Sequence, residues 1–477
     1  MFSGGERTFL GIIVFVYFVF LIILSLYINR KTKTYDEYNV AGRSVSIFPL
    51  VLTFIGTGVG GATLLGYMEN GYVLGMGQQW IHITMFISVI FVALFLVKRI
   101  RALGEKYDMV TISDYTTLRY GEKARIPTFL SVLCSYCTKT GMQFVAIATI
   151  LNLTIGIDMT VGILIGWALL TFKTYFGGLK SVIWQDVIHG TILTLGVILT
   201  FFTVLIVSGG WGAISESAIA SNQGEMLNVL NIKPQEILIF FFTLAVHQFV
   251  RQDLWQRIWA AKSLKTAVNG YWVSMIIAVL IGALVVAIGV FSRFGLELEN
   301  VKSELIFYSV IDDVFPFSLV VVMIIVLLAA VISSADSFFI AASSSVVNDV
   351  IKPNLKQLND RKMLFYSRIS VLIVSFMSLV LALLIPGLVN LLITGTAMAV
   401  SGLLAPVIFG MFWKRVPNIA GLTSMWIGLG TAITWQVLGH PFGIHPIFIG
   451  LPSSIIALLI VTFFTRSQDA IHSNAKA

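Results

Sequence analysis

Apolar residues run along this chain in blocks of about twenty, each closed by a short polar stretch. A block of that length, wound as an α-helix, crosses the hydrocarbon core of a bilayer. A window of about 19 residues predicts thirteen spans, at 8–29, 46–68, 78–98, 126–155, 158–176, 181–208, 234–256, 267–293, 315–346, 366–386, 387–412, 417–438 and 444–465. The first is longer than the apolar core of a cleaved signal, and Arg30, Lys31 and Lys33 follow it as a stop, so it is expected to stay as a membrane helix.

The polar connections set the orientation. With the N-terminus outside, the inside connections 30–43, 98–125, 173–180, 251–265, 352–368 and 414–415 and the tail 466–476 hold 26 of the 31 Lys and Arg residues. Outside lie Arg7, Lys233, Arg293 and Lys302, and Lys139 falls inside a span. Basic residues gather on the cytoplasmic side, so the N-terminus is expected out and the C-terminus in. Spans 2–6 and 7–11 then form two five-helix units, 46–208 and 234–412; five is odd, so the second starts from the opposite face, the inverted-repeat plan of many secondary transporters. The span at 8–29 precedes the repeats and two C-terminal helices at 417–465 follow, all within one transmembrane domain, 1–477.

Composition agrees. The chain is 57% hydrophobic and 11% charged, less than half the roughly 25% charged residues of a soluble domain. The longest polar stretch, near 98–125, is loop-sized, so no separate soluble domain is expected. The formal net charge of +8 is explained by its placement at the membrane face, not by nucleic acid. Cys134 and Cys137 stand in an apolar span with no second pair or His cluster, which suits small residues packing on a helix. No loop carries paired carboxylates, a Cys/His or Ser/His set, or a phosphate-binding loop, so an enzyme is not expected.

Two stretches carry chemistry. The second span reads LTFIGTGVGGATLLGYMENGY, in which Gly56, Gly58 and Gly61 spell G-x-G-x-x-G. A nucleotide-binding reading fails, because that motif needs a soluble strand–turn–helix unit. Either the glycines let helices pack closely, or they unwind the helix and free carbonyls for an ion. The ninth span contains AAVISSADSFFIAASSS, from Ala329 to Ser345. The hydroxyls of Ser333 and Ser334, the carbonyl of Ala330 one turn earlier, and the carbonyls of Gly56 and Val59 make five neutral oxygens. Hard cations take oxygen ligands, and a set without a carboxylate suits a monovalent ion that must leave again. The competing reading is that the serines tighten packing or bond their own backbone.

AAVISSADS with the later SSSVVNDV resembles the cation-site helix of the sodium:solute symporter family. RQDLWQRIWAAKSLKTA resembles that family's Q-x-x-x-Q-R-x-x-A-A-K signature, and YFGGLKSVIWQDVIHG and YNVAGRSVS resemble two further segments of it. The resemblance covers nearly the whole chain in order. It implies an all-α polytopic protein with about 13 transmembrane helices and a LeuT-like core of two inverted repeats. The function it implies is Na⁺-driven uptake of a small organic solute by alternating access in the cytoplasmic membrane. It places the main sodium site on Gly56, Val59, Ala330, Ser333 and Ser334, with Gly56 standing where the family usually has Ala.

Asp186 is an intramembrane acid, functional by default or else a structural pair. By the resemblance, a second cation site falls on Asp186, Asp336 and Ser337, although Asp336 stands where a hydroxyl is usual. Lys139 lies deep in the fourth span, where burying an ammonium costs about 2.5–3.5 kcal/mol. Its partner is Asp186, Asp336 or a substrate anion; the family's sialic-acid branch has an Arg at this place that holds the substrate carboxylate. The hydroxyl-rich second span of that branch is not kept, so the expected solute is a carboxylate or zwitterion other than sialic acid. Thr63, Gln78 and His82 on spans 2–3, and His247 and Gln248 on span 7, complete the expected substrate pocket. No Gly or Pro stands near His247, so a helix break there is not evident. The expected partners are the solute, the sodium ion and the bilayer, with no nucleic acid and no obligate protein partner. Two rival readings are a proton-coupled permease using Asp186 or Asp336, and a membrane sensor working through a separate output protein.

Overall fold

The computed structural model describes residues 3–30, 32–296, 298, 301–355, 359–385 and 388–474. Among these the chain is helical, apart from connections and an isolated bridge between Val45 and Ala261. The α-helices of the first half are α1 (Gly4–Asn29), α2 (Tyr35–Val40), α3 (Ile47–Gly58), α4 (Met68–Leu74), α5 (Trp80–Phe91), α6 (Val97–Tyr107), α7 (Ile112–Tyr120), α8 (Arg125–Ile155), α9 (Met159–Val207) and α10 (Gly210–Ala220). Those of the second half are α11 (Pro234–Phe240), α12 (Gln252–Ala260), α13 (Leu264–Gly295), α14 (Ile306–Val314), α15 (Phe317–Ser345), α16 (Lys352–Asn354), α17 (Asp360–Leu384), α18 (Leu388–Phe412), α19 (Asn418–Val437) and α20 (Ile447–Asn474).

Among the described residues, nine helices are long and apolar enough to cross a membrane, and the count is ten if the bent pair Ile47–Gly58 and Thr63–Leu74, with 59° between its halves, forms one span. Each predicted span falls largely on helical chain, with spans 2 and 7 interrupted at 59–60 and at 251, and the junction at 386–387 lies outside the described residues. Spans 5 and 6 are joined as α9, 49 residues long, and Gly178 divides it with φ 69°, ψ 168°. A Cβ there would meet the Tyr38 ring at 2.6 Å, so the bend needs glycine on both conformational and steric grounds. α8 and α19, with 31 and 20 residues, are also long enough to span, although neither is among those nine.

The bundle is turned inside out relative to a soluble core only at its surface. Phe15, Ile206, Phe376 and Phe463 are exposed on helices that face outward, where lipid tails take the place of water. The polar residues instead concentrate inside, around α15, which is buried on every side from Val326 to Ser345 and packs on α3, α8 and α9. This corrects part of the charge reading. Lys173, Arg251 and Arg257, assigned to inside connections, are buried within the bundle. They serve as internal partners, and the orientation argument rests on the remaining loop residues; of these, Lys31, Lys356 and Lys476 lie outside the described residues.

Candidate functional site

The break in the second span defines the site. α3 ends at Gly58, Val59 leaves helical geometry at φ −113°, ψ 85°, and the chain rewinds through a π-helical turn, Ala62–Tyr67, into α4. Leu64 and Thr63 donate their amides to the Gly60 carbonyl at 3.1 and 3.0 Å, restarting the ladder. The glycines also permit close approach: a Cβ at Gly61 would sit 2.9 Å from Ala146 Cβ. Both readings of the glycine run therefore apply, unwinding at 59–60 and tight packing at Gly61.

α15 crosses this break with Ser333 and Ser334 fully buried. Ser334 Oγ donates to the carbonyls of Gly56 at 3.1 Å and Thr57 at 3.3 Å. Ser333 Oγ donates to Asp186 Oδ1, and Thr53 Oγ1 donates to Asp186 Oδ2 at 2.5 Å. Arg257 of α12 completes this cluster, 3.6 Å from Asp186, donating to Thr53 Oγ1 at 3.0 Å and to Ser337 Oγ at 2.5 Å. Ser337 is also 2.8 Å from Thr57 Oγ1, so the cluster ties α3, α9, α12 and α15 together. Asp336, one residue earlier, turns to the other side of α15, where it pairs with Lys173 and accepts a hydrogen bond from Thr174 Oγ1 at 2.8 Å.

Lys139 thus pairs with neither membrane acid. Its ammonium lies 3.2 Å from His247 Nε2 and over the faces of Tyr136 and Phe338, at 4.7 and 5.7 Å from the ring centroids, an arrangement that stabilises a cation away from water. Among the described residues no carboxylate lies within ion-pair distance of it. Lys139, Gln143, His247, Gln248, Arg251, Thr63, Thr57, Gly58, Gly60 and Ser334 line one cavity of about 80 Å³ beside the break. Gln143 is fully buried one turn beyond Lys139, and neither atom of its amide has a hydrogen-bond partner among the described residues. Buried polar groups are rarely left unpaired, so this amide faces a place where a polar ligand or water belongs.

A second break flanks the same cavity. After α11 the chain passes through a π-turn, Phe241–Ala245, and a 3₁₀ turn, Val246–Val250, then becomes extended at Arg251 before α12. Side chains hold this break without glycine or proline. Arg251 reaches forward to Asp253, with contacts at 2.5 and 3.2 Å, and back to Gln248 Oε1 at 3.1 Å. Trp255 Nε1 donates to the Phe249 carbonyl at 3.0 Å, and Tyr136 bonds Asp253.

The structure therefore gathers most of the sequence-predicted residues and separates a few. Ser333 and Ser334 lie against Gly56 at the first break, Val59 forms the break itself, and Ala330 is one turn away on α15. Thr63, Lys139, His247 and Gln248 line the cavity. Gln78 and His82 do not: Gln78 bonds Asn70 at 3.3 Å and Glu236 at 3.5 Å, and His82 packs on the edge of Tyr67, 5.4 Å between centroids. The expected second site is divided, since Asp186 and Ser337 share Arg257 while Asp336 faces Lys173. Gln143, Thr57 and Arg251 were missed. Gln143 had a usable signal, a polar residue four positions after Lys139 on an apolar helix; Arg251 was taken for a loop charge.

Comparison with known proteins agrees with this architecture. The model of the Sodium:solute symporter family matches residues 38–428. The Sodium/proline symporter of Escherichia coli (strain K12) is 25% identical over 471 residues, covering 95% of this chain and 93% of that protein. The High-affinity proline transporter PutP of Bacillus subtilis (strain 168) is 24% identical over 94% of this chain and 97% of its own length. Among solved structures, a Na⁺-coupled sialic acid symporter in a substrate-bound outward-open state has a TM-score of 0.80 at 19% identity, covering 95% of this chain and 97% of that one. Mhp1, a nucleobase-cation-symport-1 family transporter, has a TM-score of 0.58 at 15% identity over 89% of this chain and 92% of that one. The chain belongs to the sodium:solute symporter family.

Proposed function

As a member of that family the chain is, we propose, a sodium-coupled importer of a small organic carboxylate or zwitterion. It works by alternating access in the cytoplasmic membrane, with thirteen spans, the N-terminus out, and inverted repeats at 46–208 and 234–412. Two features favour the repeats: the first helix of each unit is broken, at residues 59–60 and at Arg251, and both breaks border one cavity.

The observation that carries the substrate class is the pairing pattern of the buried charges. Asp186 holds Arg257 and Asp336 holds Lys173, which leaves the Lys139 ammonium facing the cavity beside the unpartnered Gln143 amide. An ammonium, an amide and the amide groups of a rewinding helix form a receptor for a carboxylate. Proline and sialic acid, named for the relatives, both carry that group.

Sodium fits the first break. The carbonyls of Gly56, Val59 and Ala330 and the hydroxyls of Ser333 and Ser334 supply neutral oxygens; once the Ser334 proton turns away from Gly56 O, both atoms can face one ion. Binding there holds α15 against α3 and sets the cavity wall for the solute. One Na⁺ crossing about 100 mV contributes about 2.3 kcal/mol, and a tenfold gradient adds about 1.4, enough for roughly several-hundred-fold accumulation.

The test is uptake into proteoliposomes across a panel of labelled amino acids and carboxylates, with an inward Na⁺ or K⁺ gradient. Uptake driven by Na⁺ and abolished in Lys139→Met, with Na⁺-induced thermal stabilisation intact, is the expected result. Equal uptake with K⁺ would refute sodium coupling, and undiminished carboxylate uptake by Lys139→Met would refute the substrate class.

A further inference from the structure

Each buried acid near the break is set up like a cation site, yet each already holds a side-chain cation. Asp336 is 2% exposed, accepts the Thr174 hydroxyl at 2.8 Å, and has the Lys173 ammonium seated on its other oxygen. Lys173 is itself 1% exposed, so neither partner is solvated. Asp186 takes hydroxyls from Thr53 and Ser333 on its two oxygens, with the Arg257 guanidinium 3.6 Å away. Arg257 also bonds Ser337 Oγ, the hydroxyl next to Asp336 on α15. A carboxylate with hydroxyls in a dry setting is what a sodium ion needs. Here the positive charge comes instead from the chain, and a further ion beside either pair would meet a cation at close range in a low-dielectric interior.

We propose that Lys173 is a tethered cation occupying the place beside Asp336 that a second Na⁺ would take, with Arg257 doing the same beside Asp186, so that the transporter binds one Na⁺ per cycle. The inference rests on the sodium-coupled reading above and fixes its stoichiometry. Only the neutral oxygens around Gly56 and Ser334 then remain for a mobile ion. The tethered charges stay with the bundle, so the charge moved with each solute is that of one ion plus whatever the solute carries.

The test is equilibrium binding of ²²Na⁺ to the purified full-length protein at about pH 8.5, in choline chloride without solute. Wild type is expected to bind one ion per chain, and Ser334→Ala to lose it over the same concentration range. Two ions per chain in wild type would overturn the inference while leaving sodium coupling intact. No saturable binding would overturn the sodium reading and the inference with it. Lys173→Met frees Asp336 and is expected to bind two ions, returning to one in Lys173→Met/Asp336→Asn. A count of one in Lys173→Met, with the wild-type affinity retained, would show that Lys173 does not stand in for an ion. If Lys173→Met fails to fold, Asp336→Asn alone decides: the count stays at one if Asp336 holds only Lys173, and loss of the ion would make Asp336 a sodium ligand and refute the assignment.

Discussion

Single side chains decide how the site works, and their partners decide what each can do. Ser334 is the sharpest case, because its hydroxyl spans from α15 to the Gly56 and Thr57 carbonyls at 3.1 and 3.3 Å. Ser334→Ala removes one proposed ion ligand and leaves those carbonyls without it. A polar contact to a charged group is worth about 1.5–3 kcal/mol, so the Na⁺ concentration giving half-maximal thermal stabilisation is expected to rise at least tenfold. Gln143→Leu should behave differently: the KM for solute rises about tenfold or more, while Na⁺ stabilisation without solute is unchanged. The amide touches the cavity and not the first-break oxygens. Residue identity was largely readable from the sequence, since a lysine, an aspartate pair and adjacent serines stand out on apolar spans. Pairing was not readable. Lys173 and Asp336 are 163 positions apart, and Asp186 finds Arg257, which sequence reasoning placed in the connection 251–265. No local pattern marks such contacts, so Lys139 had two rivals for its partner until the structure assigned both acids elsewhere.

At the scale of one element, helix breaks were legible where the backbone causes them and hidden where side chains do. Gly56, Gly58, Gly60 and Gly61 made a break after α3 one of two readings, beside close helix packing. The break at Arg251 carries no such mark, because Arg251, Asp253, Tyr136 and Trp255 stabilise it through bonds whose spacing resembles ordinary amphipathic helix. The bend in α9 offers a clean comparison of neighbours. Gly178 has φ 69° and faces the Tyr38 ring, whereas Gly177 is helical and an added Cβ would make ordinary contacts, with Ser181 Cβ at 3.6 Å and Ser25 Oγ at 3.9 Å. Gly178→Ala is therefore expected to cost about 1–3 kcal/mol in backbone strain and more from the displaced ring. A clear fall in the thermal midpoint in detergent would report this, and Gly177→Ala should stay within about 0.5 kcal/mol of wild type. Similar losses for the two variants would contradict the bend as drawn.

At the scale of the whole molecule, the proposed alternating access requires the bundle to open toward one face at a time, and a set of polar contacts joins α7, α8 and the end of α15. Thr111 Oγ1, just before α7, donates to Asp349 Oδ1 at 2.6 Å, beyond the end of α15. Asn348 Nδ2 donates to Thr111 Oγ1 at 3.0 Å and Asp114 Oδ1 at 2.8 Å, and Arg125 lies 3.6 Å from Asp114 and 3.9 Å from Asp349. The helix carrying the proposed sodium oxygens is thereby fastened at its far end to α7 and α8. Gln252 fastens α12 to the same segment, accepting the Ile112 amide at 2.7 Å. If these contacts hold that face closed, loosening them should favour the other state. Thr111→Val removes both the donor to Asp349 and the acceptor for Asn348. Two hydrogen bonds of about 1 kcal/mol each correspond to a shift of roughly tenfold or more in the ratio of states. Single cysteines placed on the basic side of the cavity in a cysteine-free background would report it as faster maleimide labelling in Thr111→Val. Na⁺ should slow that labelling again if the ion favours the closed inner face, and a variant whose labelling matches wild type with and without Na⁺ would show that these contacts do not govern access.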